Sequence, residues 1–351
     1  MGAMLACEAP GPTSDSGVYR PKGLMQKHLL AIAVILTVAT GCDNVAWGGV
    51  DMELKPPPAS EANPGEETNA AESDVSVNLP GPLLLAGTRS GMRADFVVVG
   101  EVHPSTLHKF PDPAFPEDLE RLEEVLSVGS EWVLFSEGVR VGRMVADETS
   151  PATGFCGSRR VLSGVVELVP AAAAAERLLA LPAEDARERA YGEYALISHV
   201  YNQRVAVNRM ASDAIREHDA TRPPSVVDAR GHVQAFQLPG ATGQSVAATF
   251  MYQDQLTIES PRQGAYSIFV ISRQIGASYE STHSSYRSIE AEGKGAQRYF
   301  DHLDWNGDGT DEVLLDVFGA NRRWFEALSE RNGSWVRTFQ DSCGAGPSTG
   351  N

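Results

Sequence analysis

Between Asp304 and Glu312 the chain reads DWNGDGTDE, and side chains bearing oxygen recur through it at Asp304, Asn306, Asp308 and Glu312. A hard cation such as Ca²⁺ takes roughly six to eight oxygen ligands, and a tight loop with carboxylate or amide groups at alternate positions can converge them on one centre. Thr310 would add its backbone carbonyl. Gly307 and Gly309 stand where the backbone must wrap around such a centre, because glycine takes positive φ without steric cost. An EF-hand would carry glutamate at loop position twelve, and that position here is Leu315. The competing reading is an Asx-rich turn that joins two strands without an ion.

A second pair, Glu101 and His103, follows the apolar run Asp95 to Val102. Residues at i and i+2 of a strand face the same side, so a carboxylate and an imidazole could share one site there. The competing reading is two surface residues leading into the loop that Pro104 opens. The histidines and arginines at His199, Arg204, Arg209 and His218 are read as solvated or half-buried flanks of a helix. Trp305, Trp324, Phe325 and Trp335 are read as core rather than as a face for sugar or peptide. No GxSxG, HExxH, CxxC, P-loop or GxGxxG pattern occurs, so the common signatures of hydrolases, zinc proteases, redox centres and nucleotide sites are missing.

The four cysteines have different expected fates. Met25 to Cys42 (MQKHLLAIAVILTVATGC) has a basic start at Lys27 and His28, an apolar run from Leu29 to Thr40, and small residues ahead of Cys42. The run is short of the roughly 20 residues a membrane span needs, which favours a cleaved signal peptide. Ala39-Thr40-Gly41-Cys42 resembles the lipobox of bacterial lipoproteins, and the resemblance implies that Cys42 is the lipid attachment site and the mature N-terminus. It departs from that pattern at Ala39, where leucine is commonest. Translation is expected to begin at Met25, with residues 1–24 an over-extended start. Cys156 and Cys343 then remain as a possible disulfide in an oxidising compartment, with two separate buried thiols as the alternative.

The chain of 351 residues carries a formal charge of −17. Loss of residues 1–41 removes Arg20, Lys22, Lys27, Glu8 and Asp15 and leaves about −18. Such an acidic surface excludes nucleic acid as a partner and repels anionic lipid headgroups, so contact with a membrane is expected through the lipid alone. The expected location is the cell envelope, on the extracytoplasmic side of a bacterial membrane, with an envelope protein or glycan as the class of partner.

The elements that position these residues begin near Leu83. Residues 42–82 include Pro56-Pro57-Pro58, are acidic and almost free of aromatic residues, and read as a flexible tether. Residues 83–222 read as a mixed α/β region. Strands are expected at Asp95–Val102, on either side of Glu137-Gly138 within 131–146, and at Val161–Val169, with a short helix over Glu117–Val128. A long helix is expected from Ala183 to about His218, with Ala190, Tyr194, Ile197, Tyr201 and Val205 on its apolar stripe. Residues 223–343 read as antiparallel β, with strands over 232–238, 245–259, 265–275, 298–303, 313–318, 324–330 and 334–339. Asn332-Gly333 is its strongest hairpin signal, since both central residues of a type I′ turn need positive φ. Residues 344–351 read as a flexible tail. The expected class is α+β, with one long helix and a β-rich C-terminal region.

Two further resemblances carry expectations. The loop followed by Val313-Leu314-Leu315 and Asp316-Val317-Phe318-Gly319 resembles the calcium loop of FG-GAP or VCBS repeats over about Tyr299 to Val336. It implies Ca²⁺ at Asp304, Asn306, Asp308, Thr310 and Glu312 in a protein with a structural or binding role. Gly100-Glu101-Val102-His103 is similar to the GExH segment of ChaN-type haem-binding lipoproteins, which implies the alternative of a metal- or haem-binding enzyme or carrier.

Overall fold

Inward and outward side chains alternate along the first strands, and that alternation wraps the N-terminal half into a barrel. The computed structural model describes residues 81–110, 115–186 and 189–344. The expected signal peptide, Cys42 and nearly all of the expected tether and tail lie outside the described residues. Strands β1 (Leu83–Ser90), β2 (Arg93–His103), β4 (Glu131–Ser136), β5 (Val139–Pro151), β6 (Arg160–Leu168) and β7 (Arg177–Pro182) pair in the order β1-β7-β4-β5-β6-β2. β1 also pairs with β2, which closes the ring, and β3 (Thr106–His108) extends β2 at one rim. Closure removes free strand edges.

The barrel interior holds Leu83, Leu85, Phe96, Val98, Trp132, Leu134, Leu178 and Ala180. Helix α1 (Pro116–Val125) packs Leu122, with Leu126 just beyond it, onto that interior. Its start follows sequence rules, with Pro116 in the first turn and Glu117 and Asp118 beside the positive end of the helix dipole.

The alternate residues Leu84, Ala86, Val97, Val99, Val133, Phe135, Leu179 and Leu181 point outward and are buried by a second layer. This is the sheet β12 (Ala296–Leu303), β13 (Glu312–Phe318), β14 (Arg323–Arg331) and β15 (Ser334–Gln340), which contributes Phe300, Leu303, Trp305, Leu314, Phe325 and Phe339. The other face of that sheet packs Tyr299, Val313, Leu315, Val317, Trp324 and Trp335 against Phe236, Phe269 and Ile271. Those three come from the sheet β8 (Arg230–Phe236), β9 (Ser245–Tyr252), β10 (Tyr266–Ile275) and β11 (Ser278–Ser288). Helix α2 (Tyr201–Glu217) covers the far face through Val207, Met210, Ala211, Ala214 and Ile215. The layers thus run helix, sheet, sheet, barrel.

Every ladder between the described strands is antiparallel, so the antiparallel β character expected for the C-terminal region extends through the N-terminal half. The expected long helix needs correction, because it begins at Tyr201 rather than Ala183. The described residues before it run without helix along the barrel: Tyr191 bridges to Arg140, whose guanidinium stacks on the Tyr191 ring. A Cβ at Gly192 would come within 2.5 Å of Val139, so the chain hugs β5 too closely to coil there. The true apolar stripe consequently differs, and Tyr201 and Val205 are exposed. Gln203 sets the start by accepting the Val200 amide at 2.8 Å, half of a capping box. Arg209 and His218 are exposed, as expected of flank residues. All four aromatic residues around the calcium-type loop are buried, with Trp305 and Phe325 on the barrel side of their sheet and Trp324 and Trp335 on the other.

Cys156 and Cys343 are joined by a disulfide, with their Cα atoms 5.9 Å apart. Beside it Arg159 reaches from the barrel to Asp341, and the Cys156 amide donates to the Arg323 carbonyl at 2.9 Å.

Candidate functional site

The DWNGDGTDE segment joins β12 to β13, and its backbone folds around the carboxylate of Asp304. Oδ1 accepts the amides of Gly307 at 2.7 Å and Asp308 at 3.0 Å, and Oδ2 accepts that of Gly309 at 2.9 Å. Gly307 and Gly309 have φ of 78° and 89°, the left-handed geometry expected of them. Asp308 Oδ1 accepts the Thr310 amide at 2.9 Å. The amide nitrogen of Asn306 donates to Asp308 Oδ2 at 3.3 Å and to Glu312 Oε1 at 3.1 Å, so one polar group lies between two carboxylates. Asn306 Oδ1 accepts the Asp308 amide at 3.0 Å.

Asn306 thus links Asp308 to Glu312, Asp304 uses both its oxygens on the loop's backbone amides, and Thr310 lies on the exposed rim. Glu312 is 4% exposed, and its Oε2 has no hydrogen-bond partner. Burial, with Asp308 and Asp304 nearby, pushes its carboxyl up to about 8. A buried carboxyl oxygen left without a partner costs free energy, and a cation bound at Oε2 would relieve that cost. Oxygen donors are the type that Ca²⁺ takes.

Glu101 and His103 lie on one side of β2 with Nε2 and Oε1 3.0 Å apart, as the i and i+2 spacing implies. The carboxylate is already engaged, since Oε1 also accepts the Gly81 amide at 2.6 Å and Oε2 accepts Arg121 at 2.8 Å. Burial raises the Glu101 carboxyl, but the hydrogen bonds from Arg121 and Gly81 outweigh it, so its pKa is lowered. The ring of His103 stacks on His108 with centroids 3.6 Å apart. This network fastens α1 to β2, and a cation there would have to compete with Arg121.

The residues that sequence reasoning missed are Glu137, Asp301 and His302. The β4–β5 hairpin turns at Glu137-Gly138, where φ is 51° and 74°, values that suit Asn, Asp or Gly better than Glu. The Glu137 amide donates to Asp301 Oδ1 at 2.9 Å, which ties the barrel to β12. A bulge between Tyr299 and Asp301 then places Tyr299 and His302, three residues apart, on the same face, and the Tyr299 hydroxyl lies 2.6 Å from His302 Nδ1. Burial raises the Glu137 carboxyl to about 7 against the pull of Arg177. Burial and then Glu137 drive Asp301 well above its usual range. Burial also takes His302 down to about 4. Glu137 and Asp301 line a cavity of about 490 Å³ together with Arg89, Arg177, Tyr194 and Arg298. Two adjacent ionisable residues inside an otherwise buried strand, Phe300-Asp301-His302-Leu303, were the available signal.

No helix among the described residues is long and apolar enough to cross a membrane. No protein-family model matches the chain, and no curated protein and no solved structure matches it.

Proposed function

We propose that this protein is a lipid-anchored, extracytoplasmic bacterial lipoprotein whose C-terminal β region is stabilised by Ca²⁺ and whose role is structural or binding. The observation that supports the calcium reading is the buried Glu312 carboxyl with its unpartnered Oε2, on a loop that also carries Asp304, Asn306 and Asp308. Calcium would replace mutual repulsion among these oxygens with coordination and lock the β12–β13 connection. Because Trp305 of that connection packs with the barrel's outward side chains, its rigidity would reach both the barrel and the β12–β15 sheet. Attachment through Cys42 would hold the acidic folded part at the membrane without requiring contact between protein and headgroups.

Thermal unfolding in excess calcium and then in excess chelator tests the calcium reading. A ligand that binds only the native state raises stability, by about 2.7 kcal/mol at a hundredfold excess over Kd. The midpoint should rise by several degrees, and Asp308→Ala, an exposed change, should abolish the rise. An equal midpoint with and without calcium reduces the loop to a turn. For the anchor, Cys42→Ser should move the protein from the membrane fraction to the soluble one, and retention in the membrane would overturn the lipid assignment.

A further inference from the structure

We infer that Glu137, Asp301 and His302 form a second metal site, distinct from the calcium-type loop and built for a divalent first-row transition metal of the zinc class. One ligand atom from each of the three lies within 4.8 Å of the other two. Zinc bonds to carboxylate oxygen and imidazole nitrogen are about 2.0–2.2 Å long, so small side-chain movements bring these atoms onto one ion.

The unpartnered atoms point to a ligand independently of this proximity. Asp301 and His302 are 1% and 0% exposed, yet Asp301 Oδ2 and His302 Nε2 have no hydrogen-bond partner. Glu137 Oε2 and Asp311 Oδ2 are likewise buried and unpartnered. His302 Nε2 lies 3.6 Å from Asp311 Oδ2, too far for a hydrogen bond but close enough to share an ion's surroundings. Buried polar atoms are nearly always paired, so such a group at one point in a well-packed interior needs an explanation. A dication bonded to the carboxylates and the imidazole provides one, and it balances acidic side chains that otherwise have Arg177 as their nearby counter-charge.

The surroundings of the ring suit ligation. The Tyr299 hydroxyl and His302 Nδ1 share a hydrogen bond, and in the tautomer with the proton on Nδ1, Nε2 presents its lone pair, as when an outer partner orients a ligating histidine. Gly138 keeps the space open, since a Cβ there would come within 2.7 Å of Asp311 Oδ2 and 2.9 Å of His302 Nε2. An imidazole in the set argues against Ca²⁺ and Mg²⁺, which prefer oxygen alone, and the absence of thiolate from these three residues argues against Cu(I). Because Glu137 and Asp301 also line the 490 Å³ cavity, the ion's remaining coordination position would face that cavity, where Arg177 favours an anionic ligand.

The test is metal binding by the full chain, stripped by chelator and then dialysed against Zn²⁺ in millimolar Ca²⁺, so that the loop is saturated by its own cation. Bound zinc should approach one equivalent by elemental analysis, and Co²⁺ in its place should give visible d–d absorption. Asp301→Asn and His302→Gln should each weaken Zn²⁺ binding at least about tenfold, the smallest loss expected even for an outer partner. Asp308→Ala should leave it unchanged, which separates failure of this site from failure of the calcium reading. Glu137→Gln lies on a hairpin turn rather than in β12, so it decides the matter if either strand variant fails to fold. Unchanged zinc affinity in folded Glu137→Gln, or displacement of zinc by millimolar calcium, would overturn the site.

Discussion

Arg159 and Asp341, 182 residues apart in sequence, form an ion pair at 2.5 Å in which the side chains are 0% and 3% exposed. The other Asp341 oxygen accepts the Phe325 amide at 2.9 Å, and Arg159 also donates to the carbonyls of Cys156 and Val98. The pair thus ties the barrel to the turn that follows β15. Removing one member of a buried pair strands the other charge in the interior, at a cost of about 3–5 kcal/mol. Asp341→Ala should lower stability by that order in urea unfolding. A loss below about 1 kcal/mol would mean that water reaches Arg159.

The Cys156–Cys343 disulfide closes a loop of 187 residues of sequence separation. On the chain-entropy view, a loop of that size restricts the unfolded state by on the order of 5 kcal/mol, as an upper figure. Stability should fall on reduction, and the double variant Cys156→Ser with Cys343→Ser should match the reduced parent. A parent that unfolds identically with and without reductant would show that the Arg159 contacts alone hold this corner.

Burial, followed by the charges of Arg177 and Arg298, holds the His232 imidazole down at about 3. Its folded pKa lies below the unfolded value, so the unfolded chain gains a proton near pH 6.5 that the native state refuses until about pH 3. Its effect is to lower stability progressively as pH falls through that window. Relative to the parent, His232→Gln should lose less stability between pH 7 and pH 5 in paired denaturant titrations. Parallel losses would place the imidazole in solvent.

Trp305 is 2% exposed and sits within the loop, next to Asp304. Tb³⁺, which takes the oxygen ligands of Ca²⁺, should therefore show luminescence sensitised through this indole. The emission should be displaced by calcium and lost in Asp308→Ala. Trp305→Phe should remove most of the signal while leaving the calcium-dependent midpoint in place. Sensitised emission that survives Asp308→Ala would place the lanthanide elsewhere.

Much of the strand inventory was legible because it depends on local pattern. Asn332 and Gly333 have φ of 53° and 82°, the geometry a type I′ hairpin needs, and Glu137-Gly138 turns where the apolar runs break. Closure of the barrel was not legible, since β1 meets both β2 and β7 through backbone hydrogen bonds that any sequence can make. The helix was drawn too long because the apolar spacing through Tyr194 and Ile197 mimics a stripe, whereas the contact of Gly192 with Val139 that overrides it is tertiary. The turn from Asp304 to Glu312 was legible because its Asx side chains and glycines are close together in sequence. Glu137 and Asp301 were not, because a bulge and a hairpin tip from opposite halves of the chain bring them together.

The bond between Cys156 and Cys343 also has a timetable. A ribosome adding about 5–20 residues per second makes the second cysteine roughly 10–40 s after the first, across the 187 positions between them. At the start of that interval β6 and β7 have still to be made, and until Cys343 follows, Cys156 lacks its partner. Its proper partner arrives only after the last strand of the outer sheet has been synthesised. The cross-link is therefore a record of completion: a chain interrupted before Cys343 carries Cys156 without its partner.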